Sequence, residues 1–310
     1  VAPSKHAFGE AAHTLKRGGI VAFATETVYG LGCDTCNEDA IKKVYALKDR
    51  PMNNPMIAHV LEVSWVRDIT TGWDKRCDVL AENFWPGPLT IVLPRHKNIP
   101  KLACGGLDTI AIRCPSHPVA RELLEAFGGV ISAPSANRSG YISPTSAQHV
   151  QDEFQDEVTI LDGGACEQGI ESTVISMVET PTILRLGSVS QEELESVLGD
   201  VQHDHAVSQT SSPGTSMKHY SPNTPTQMCT SQEIVKMRDD QCVAIVMNSS
   251  PIRTKQTIHL PATPQEYGAR LYAALREADA CGASRIVIEQ PPATRHWVAV
   301  NDRLFRCTSV

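Results

Sequence analysis

The 310-residue chain has no apolar run approaching the ~20 residues that a membrane-spanning helix requires. It has no surplus of positive charge either. Its 28 Lys and Arg stand against 35 Asp and Glu, a formal net charge of -7. That excludes nucleic-acid binding by the bulk field of the molecule and leaves only a local basic patch. No G-x-x-x-x-G-K-[ST] run and no G-x-G-x-x-G occurs, so the usual P-loop and dinucleotide sites lack their first requirement. Ten cysteines are too few for a disulfide scaffold of this length and read as reduced, cytosolic thiols. Cys33 and Cys36 form one C-x-x-C pair, but a second pair and histidines at finger spacing are missing. The pair reads as two small residues near a strand end rather than as a zinc or redox site. The N-terminus has no apolar leader core; "HAFGEAAHTLKRGG" reads as an amphipathic helix stopped by Gly18-Gly19. Because the chain starts at Val1, a leader removed ahead of it stays open.

What is present is a globular composition, 41% apolar and 20% charged. Short buried runs ("GIVAFA", "PMIAHV", "LTIVLP", "TIAIRC", "GVISA", "VTILDGG", "STVISMV", "TILRLG") alternate with helical patterns ("NEDAIKKVYALK", "CDVLAENFW", "HPVARELLEAF"). Asn37 caps one helix, and Ser190 with Glu193 forms a capping box on "SVSQEELESVL". This predicts an α/β domain with a mixed sheet over residues 1–198. Residues 199–223 are polar and serine-rich, a linker or lid. Residues 224–310 read as a small βαβα unit: "QCVAIVMN", a helix from Thr263 with Pro264 and Glu266, "SRIVIEQPP", and a final helix.

Five polar, stiffened segments sit where strands or helices end, the usual place for chemistry in such a sheet. "TETVYGLG" puts Thr25, Glu26 and Thr27 after a buried strand, with Gly30 and Gly32 beyond. "LKDRPMNNPMIAH" carries Lys48, Arg50, Asn54 and His59, with Pro51 and Pro55 interspersed among them. A basic last turn beside a helix dipole is the plain reading of the cations; against it, Pro51 and Pro55 look like preorganisation. His59 taken alone reads as a core histidine. Arg113, alternating with Ile110 and Ile112, suits a carboxylate if it faces a pocket. "SAPSANRSG" (Ser132, Ser135, Asn137, Arg138, Ser139) is rich in donors suited to an anion. "GIESTVIS" with "ILRLG" adds Ser172, Thr173 and Arg185. Together they supply one lysine, four arginines and many hydroxyls, but no nucleophile with its base. That inventory suits a phosphorylated nucleotide and a small carboxylate, with catalysis by positioning and charge neutralisation.

The order "TETVYGLG", "KDRPMNNPM", "TIAIRCP", "APSANRSG", "GIESTV", "SPGTSMKHYSP" resembles the threonylcarbamoyl-AMP synthase family, from about Leu15 to the end. It is similar to the long form, in which a YrdC-like twisted mixed sheet with flanking helices precedes a linker and a small Rossmann-like α/β domain. The resemblance implies formation of threonylcarbamoyl-AMP and pyrophosphate from L-threonine, bicarbonate or CO2, and ATP, with Mg²⁺. The product would feed a transferase that modifies tRNA, in the cytoplasm, with at most a weak RNA contact by the chain itself. It implies threonine binding by Thr27, His59, Arg113 and Ser172. It implies ATP binding by Lys48, Arg50, Asn54, Thr109, Ser135, Asn137, Ser143, Arg185 and Tyr220. A lid containing Lys218 and His219 would close over water-labile intermediates. Ala24 departs from the family's usual proline before "TET", and Thr215, Ser216 and Met217 depart from its usual lid. Two rivals are a carbamoyltransferase of related fold and an RNA-binding module.

Overall fold

The computed structural model describes residues 3–203 and 219–308. The described chain divides into two compact units. One lies within residues 1–139, 144–167 and 171–215, the other within 140–143, 168–170 and 216–310. Most of the segment expected as linker or lid, residues 204–218, lies outside the described residues.

The first unit runs α1 (Lys5–Lys16), β1 (Val21–Phe23), β2 (Gly30–Asp34), α2 (Glu38–Leu47), β3 (Ile57–His59), α3 (Lys75–Phe84), β4 (Leu89–Pro94) and β5 (Thr109–Arg113). It continues through α4 (Pro118–Phe127), β6 (Ile131–Ala133), α5 (Ala147–Phe154), β7 (Thr159–Leu161), β8 (Thr173–Ser176), β9 (Thr182–Arg185), α6 (Gln191–Leu198) and β10 (Gln202–His203). Its strands form a ten-stranded mixed sheet in the order β10-β9-β8-β4-β5-β3-β6-β2-β1-β7.

Local signals explain the helices. The Ser4 hydroxyl accepts from the Ala7 amide at the start of α1, and Phe8, Ala11, Ala12 and Leu15 bury one stripe. The helix is followed by Gly18 at φ +73°, a backbone few other residues adopt. Asn37 caps α2 through the Asp39 and Ala40 amides, and the Ser190–Glu193 box is formed in full.

Strand periodicity then sorts the sheet's two faces. Leu89, Ile91 and Leu93 of β4, Ile110 and Ile112 of β5, and Ile175 of β8 join the large core with Ile41, Val44, Leu123 and Leu124 of the helices. The alternate residues, Val92, Ala111, Val174 and Ile57 of β3, form a separate small apolar cluster with Leu184. The first set holds the fold together. The second is the floor on which the candidate site is laid.

The second unit contains β11 (Thr226–Cys229), α7 (Ser231–Ile234), β12 (Arg238–Val246), β13 (Arg253–His259), α8 (Pro264–Ala280), β14 (Arg285–Glu289) and α9 (Val298–Thr308). Its sheet is parallel throughout, in the order β11-β14-β12-β13. The βαβα expectation therefore missed β11, α7 and β13. Both sheet faces are buried: Cys242, Ala244 and Val246 on one side, Val243 and Ile245 on the other. Pro264 opens α8 as expected, but Thr263 makes no side-chain cap to the backbone. Its hydroxyl donates to the Glu266 carboxylate at 2.5 Å instead.

Candidate active site

Strand pairing brings the polar ends of the central strands into one row. His59 of β3 lies level with Arg113 of β5, and Ile91 of β4 lies level with Ile112. One step along, Thr90 stands beside Arg113. Side chains level with each other on adjacent strands share a face. His59, Arg113 and Thr90 therefore rise beside the apolar floor of Ile57, Ala111 and Val92, two residues further along the same strands.

Arg113 is buried, and its guanidinium is held on several sides. Nε donates to the Gly87 carbonyl at 3.2 Å, and Nη1 donates to the Thr27 hydroxyl at 2.8 Å. Nη2 lies 2.8 Å from Oε1 of Glu26. This contact is an ion pair between two buried groups. Burial alone would raise the Glu26 pKa. The Arg113 charge, with the Ser116 amide that donates to Oε1 at 3.2 Å, outweighs burial and holds it below the ordinary value. Thr27 is fixed in turn by the Thr25 hydroxyl at 2.9 Å.

His59 is buried against Phe23, edge to face at 5.8 Å. Burial, then the Arg113 charge, push its pKa down to about 3. The ring is neutral near pH 7. Its Nδ1 sits 3.3 Å from the Ile131 carbonyl, which can only accept, so Nδ1 carries the proton and Nε2 is the acceptor.

The row continues onto β8 and β9. The Ser172 hydroxyl is 2.8 Å from that of Thr90. Arg185, level with Val174, donates to the Ser172 carbonyl through Nε at 3.1 Å and Nη2 at 2.9 Å, and to its hydroxyl at 3.1 Å. This close packing needs Gly187, where a Cβ would stand 2.2 Å from the Glu171 carbonyl oxygen. Thr109 occupies the same strand face as Arg113, roughly 13 Å away at the far end of β5.

Lys48 caps α2 with its side chain buried. Nζ donates to the Ser135 carbonyl at 2.6 Å and to the Asn137 carbonyl. Burial first, then the nearby Arg50 charge, push its pKa well down. Arg50 folds onto its own turn, donating to the Asn54 side-chain oxygen at 2.6 Å and the Pro55 carbonyl at 2.8 Å. The prolines thus set a turn whose basic side chains clasp carbonyl oxygens of residues 54, 55, 135 and 137. The Asn137 amide donates to the Arg138 carbonyl at 2.7 Å.

Ser143 and Tyr220 belong to the second unit. Tyr220 is buried at φ +61°, stacked on Tyr272 with ring centres 5.4 Å apart, and meets His219 edge to face at 4.1 Å. Lys218 lies outside the described residues. Of the residues expected around threonine, Thr27 bonds Arg113, and Ser172 bonds Thr90 and Arg185, while strand register sets His59 and Thr90 beside Arg113. Lys48, Arg50, Asn54, Ser135 and Asn137 form a second cluster.

Two members of the first cluster escaped the sequence reading. Thr90 looked like one polar residue in an apolar strand; its even position in "LTIVLP" was the available signal. Glu26 was visible in its motif, but its partner is 87 residues away. Of the C-x-x-C pair, Cys33 is buried, Cys36 is exposed, and both are free thiols.

Residues 13–187 match the family model described as "Telomere recombination". Residues 189–309 match the model described as "Threonylcarbamoyl-AMP synthase, C-terminal domain". The threonylcarbamoyl-AMP synthase of Pyrococcus abyssi is 35% identical over 96% of this chain and 93% of its own. That of Bacillus subtilis is 35% identical over 96% and 91%. The crystal structure of P. abyssi Sua5 complexed with L-threonine superposes with a TM-score of 0.91 at 34% identity, covering 98% of this chain and 95% of that one.

Proposed function

The chain belongs to the threonylcarbamoyl-AMP synthase family, and from that footing we propose how its residues make threonylcarbamoyl-AMP and pyrophosphate from L-threonine, bicarbonate or CO2, and ATP. The observation that carries the reading is the row Thr27–Arg113–Thr90–Ser172–Arg185, with neutral His59 beside it, along one edge of an apolar floor.

The threonine carboxylate is placed at Arg113, with the hydroxyls of Thr27 and Ser172 beside it. Arg113 is preorganised by Gly87, Thr27 and Glu26, so little ordering is left for the substrate to impose. Neutral His59 offers Nε2 as an acceptor without adding charge. The free amine of threonine attacks CO2 and loses a proton, giving a carbamate. A carbamate oxygen then attacks the α-phosphorus of ATP, and pyrophosphate leaves. Both steps bring anions together, so fixed cations lower the barrier. Arg185 serves the phosphates from the threonine side. Lys48 and Arg50, with Asn54, Thr109, Ser135 and Asn137, are assigned to the nucleotide. Lys48 and Arg50 exchange carbonyl partners for phosphate oxygens when ATP enters.

Mg²⁺ is expected to travel with ATP and neutralise phosphate charge. Among the described residues no group of three or more His, Cys, Asp and Glu converges as a metal site. We place the enzyme in the cytoplasm, where free thiols such as its ten cysteines stay reduced; separately, no helix among the described residues is long and apolar enough to cross a membrane. Its product would pass to the transferase that modifies tRNA.

The test is omission. Purified protein with Mg-ATP should release pyrophosphate only when both L-threonine and bicarbonate are present. Equal release without threonine would overturn the assignment.

A further inference from the structure

In an open α/β sheet, ligands lodge outside the carboxyl ends of strands at the point where neighbouring connections depart in opposite directions. In the second unit that point lies between β12 and β14. The chain leaves β12 toward β13 on one side. It leaves β14 into α9, which packs by β11 on the other. Ile245 of β12 is level with Ile288 of β14, so the two strands end together, at Val246 and Glu289.

The crevice is filled by the chain's own carboxylate. Oε2 of Glu289 accepts three consecutive backbone amides, Met247 at 2.7 Å, Asn248 at 3.1 Å and Ser249 at 3.1 Å. Oε1 accepts the hydroxyls of Ser231 at 2.8 Å and Ser249 at 2.6 Å. Consecutive amides aimed at one point form the concavity that proteins use for anions. A carboxylate offers about four lone-pair sites, so these five donors saturate it. Glu289 is only 2% exposed and has no cationic partner within ion-pair distance among the described residues. A buried charge without a counterion is costly unless hydrogen bonds replace its water, and here dipoles alone do so.

We propose that the loop after β12, with Ser231, is an oxyanion-binding site whose resident ligand is the Glu289 carboxylate. The second unit therefore keeps the anion cradle of a ligand-binding domain in a self-liganded form. It takes no phosphate there while Glu289 is in place, and it accepts a small oxyanion once that side chain is removed. None of these atoms belongs to the proposed threonine or nucleotide clusters.

The test uses the full-length protein and site-resolved amide hydrogen exchange. In Glu289→Ala the amides of Met247–Ser249 should exchange roughly tenfold faster or more than in the parent, having lost their acceptor. Added formate, and separately inorganic phosphate, should restore protection at those three amides, whereas chloride at equal ionic strength should not. The parent protein should show no anion-dependent change there. In Glu289→Ala/Ser249→Ala the restoration should weaken, since a hydroxyl donor is gone. Unchanged exchange in Glu289→Ala, or faster exchange that neither formate nor phosphate reverses, overturns the proposal. If Glu289→Ala does not fold alone, recovery of the fold in formate or phosphate but not in chloride supports the proposal, and no recovery in either overturns it.

Discussion

Arg113 and Glu26 meet at 2.8 Å with both side chains 4% exposed. Glu26 Oε1 is shared with the Ser116 amide, while Oε2 is buried without a hydrogen-bond partner. The guanidinium proposed to hold substrate therefore has a permanent counterion beneath it, and that counterion is only partly satisfied.

Removing the counterion should cost more than it frees. Glu26→Ala leaves a buried cation unneutralised and should destabilise by about 3–5 kcal/mol in urea unfolding. Glu26→Gln keeps the shape and should fold better, but with a raised KM for threonine and little change for ATP. The Glu26 pKa is depressed on folding, so its stabilisation is present above the unfolded value near 4.5 and is lost as pH falls through the lower folded value. The stability gap between parent and Glu26→Gln should close on acidification through that window. A pH-independent gap would show that charge is not what Glu26 contributes.

His59 behaves in the opposite chemical sense with the same pH direction. Folding lowers its pKa from 6.5 to about 3, so the unfolded chain binds the extra proton between those values. Stability should therefore fall as pH drops from 6.5 toward 3, and His59→Gln should flatten that slope. The His59 ring signal in NMR should show no titration between pH 5 and 8. A midpoint near 6.5 would contradict a neutral, buried ring.

Lys48→Met tests whether the buried ammonium organises the 135–137 loop. Hydrogen bonds from a charged donor contribute about 1.5–3 kcal/mol. The variant should lose about that much stability and show at least roughly tenfold weaker ATP use in pyrophosphate release. Unchanged ATP dependence would remove Lys48 from the nucleotide assignment.

Thr90→Val replaces a hydroxyl by a methyl at nearly constant volume. It removes one of the two partners of the Ser172 hydroxyl, leaving Arg185, and should cost about 1 kcal/mol. The threonine KM should rise several-fold while the ATP KM stays put, as steady-state kinetics would show.

Gly187→Ala would drive a methyl into the backbone of residues 171–173. A loss of about 1–3 kcal/mol is expected from overpacking, with Ser172 displaced and threonine binding weakened. Thermal unfolding and threonine titration check the two effects separately.

Legibility of the sequence followed locality. Asn37, Ser190 and Glu193 act within three residues, and each formed the contact its spacing predicts. Arg113 and Thr27 were conspicuous as polar residues ending apolar strands, whereas His59 read as a core histidine from its strand alone and only the family resemblance gave it a ligand. β13 was missed because "RTKQTIH" is a polar edge strand with one buried residue, Ile258. β2 was hidden inside a glycine motif that looked like a ligand loop. The Glu26–Arg113 and Thr90–Ser172 contacts depend on which strands become neighbours, and no local pattern carries that. The basic turn was read as a phosphate clasp, whereas its atoms hold carbonyl oxygens of the protein in this structure.

The row His59–Arg113–Thr90 has one further consequence. Its members come from three strands, each contributing one residue at a spacing of about 4.8 Å. A single-residue insertion within β5 ahead of Arg113 would turn the guanidinium through the sheet into the hydrocarbon layer behind it. Such a protein would pair its strands, keep most of its helices, and be catalytically blank. Here the same alignment that zips the sheet also sights the reagents, so an error in one cannot be repaired by adjusting the other.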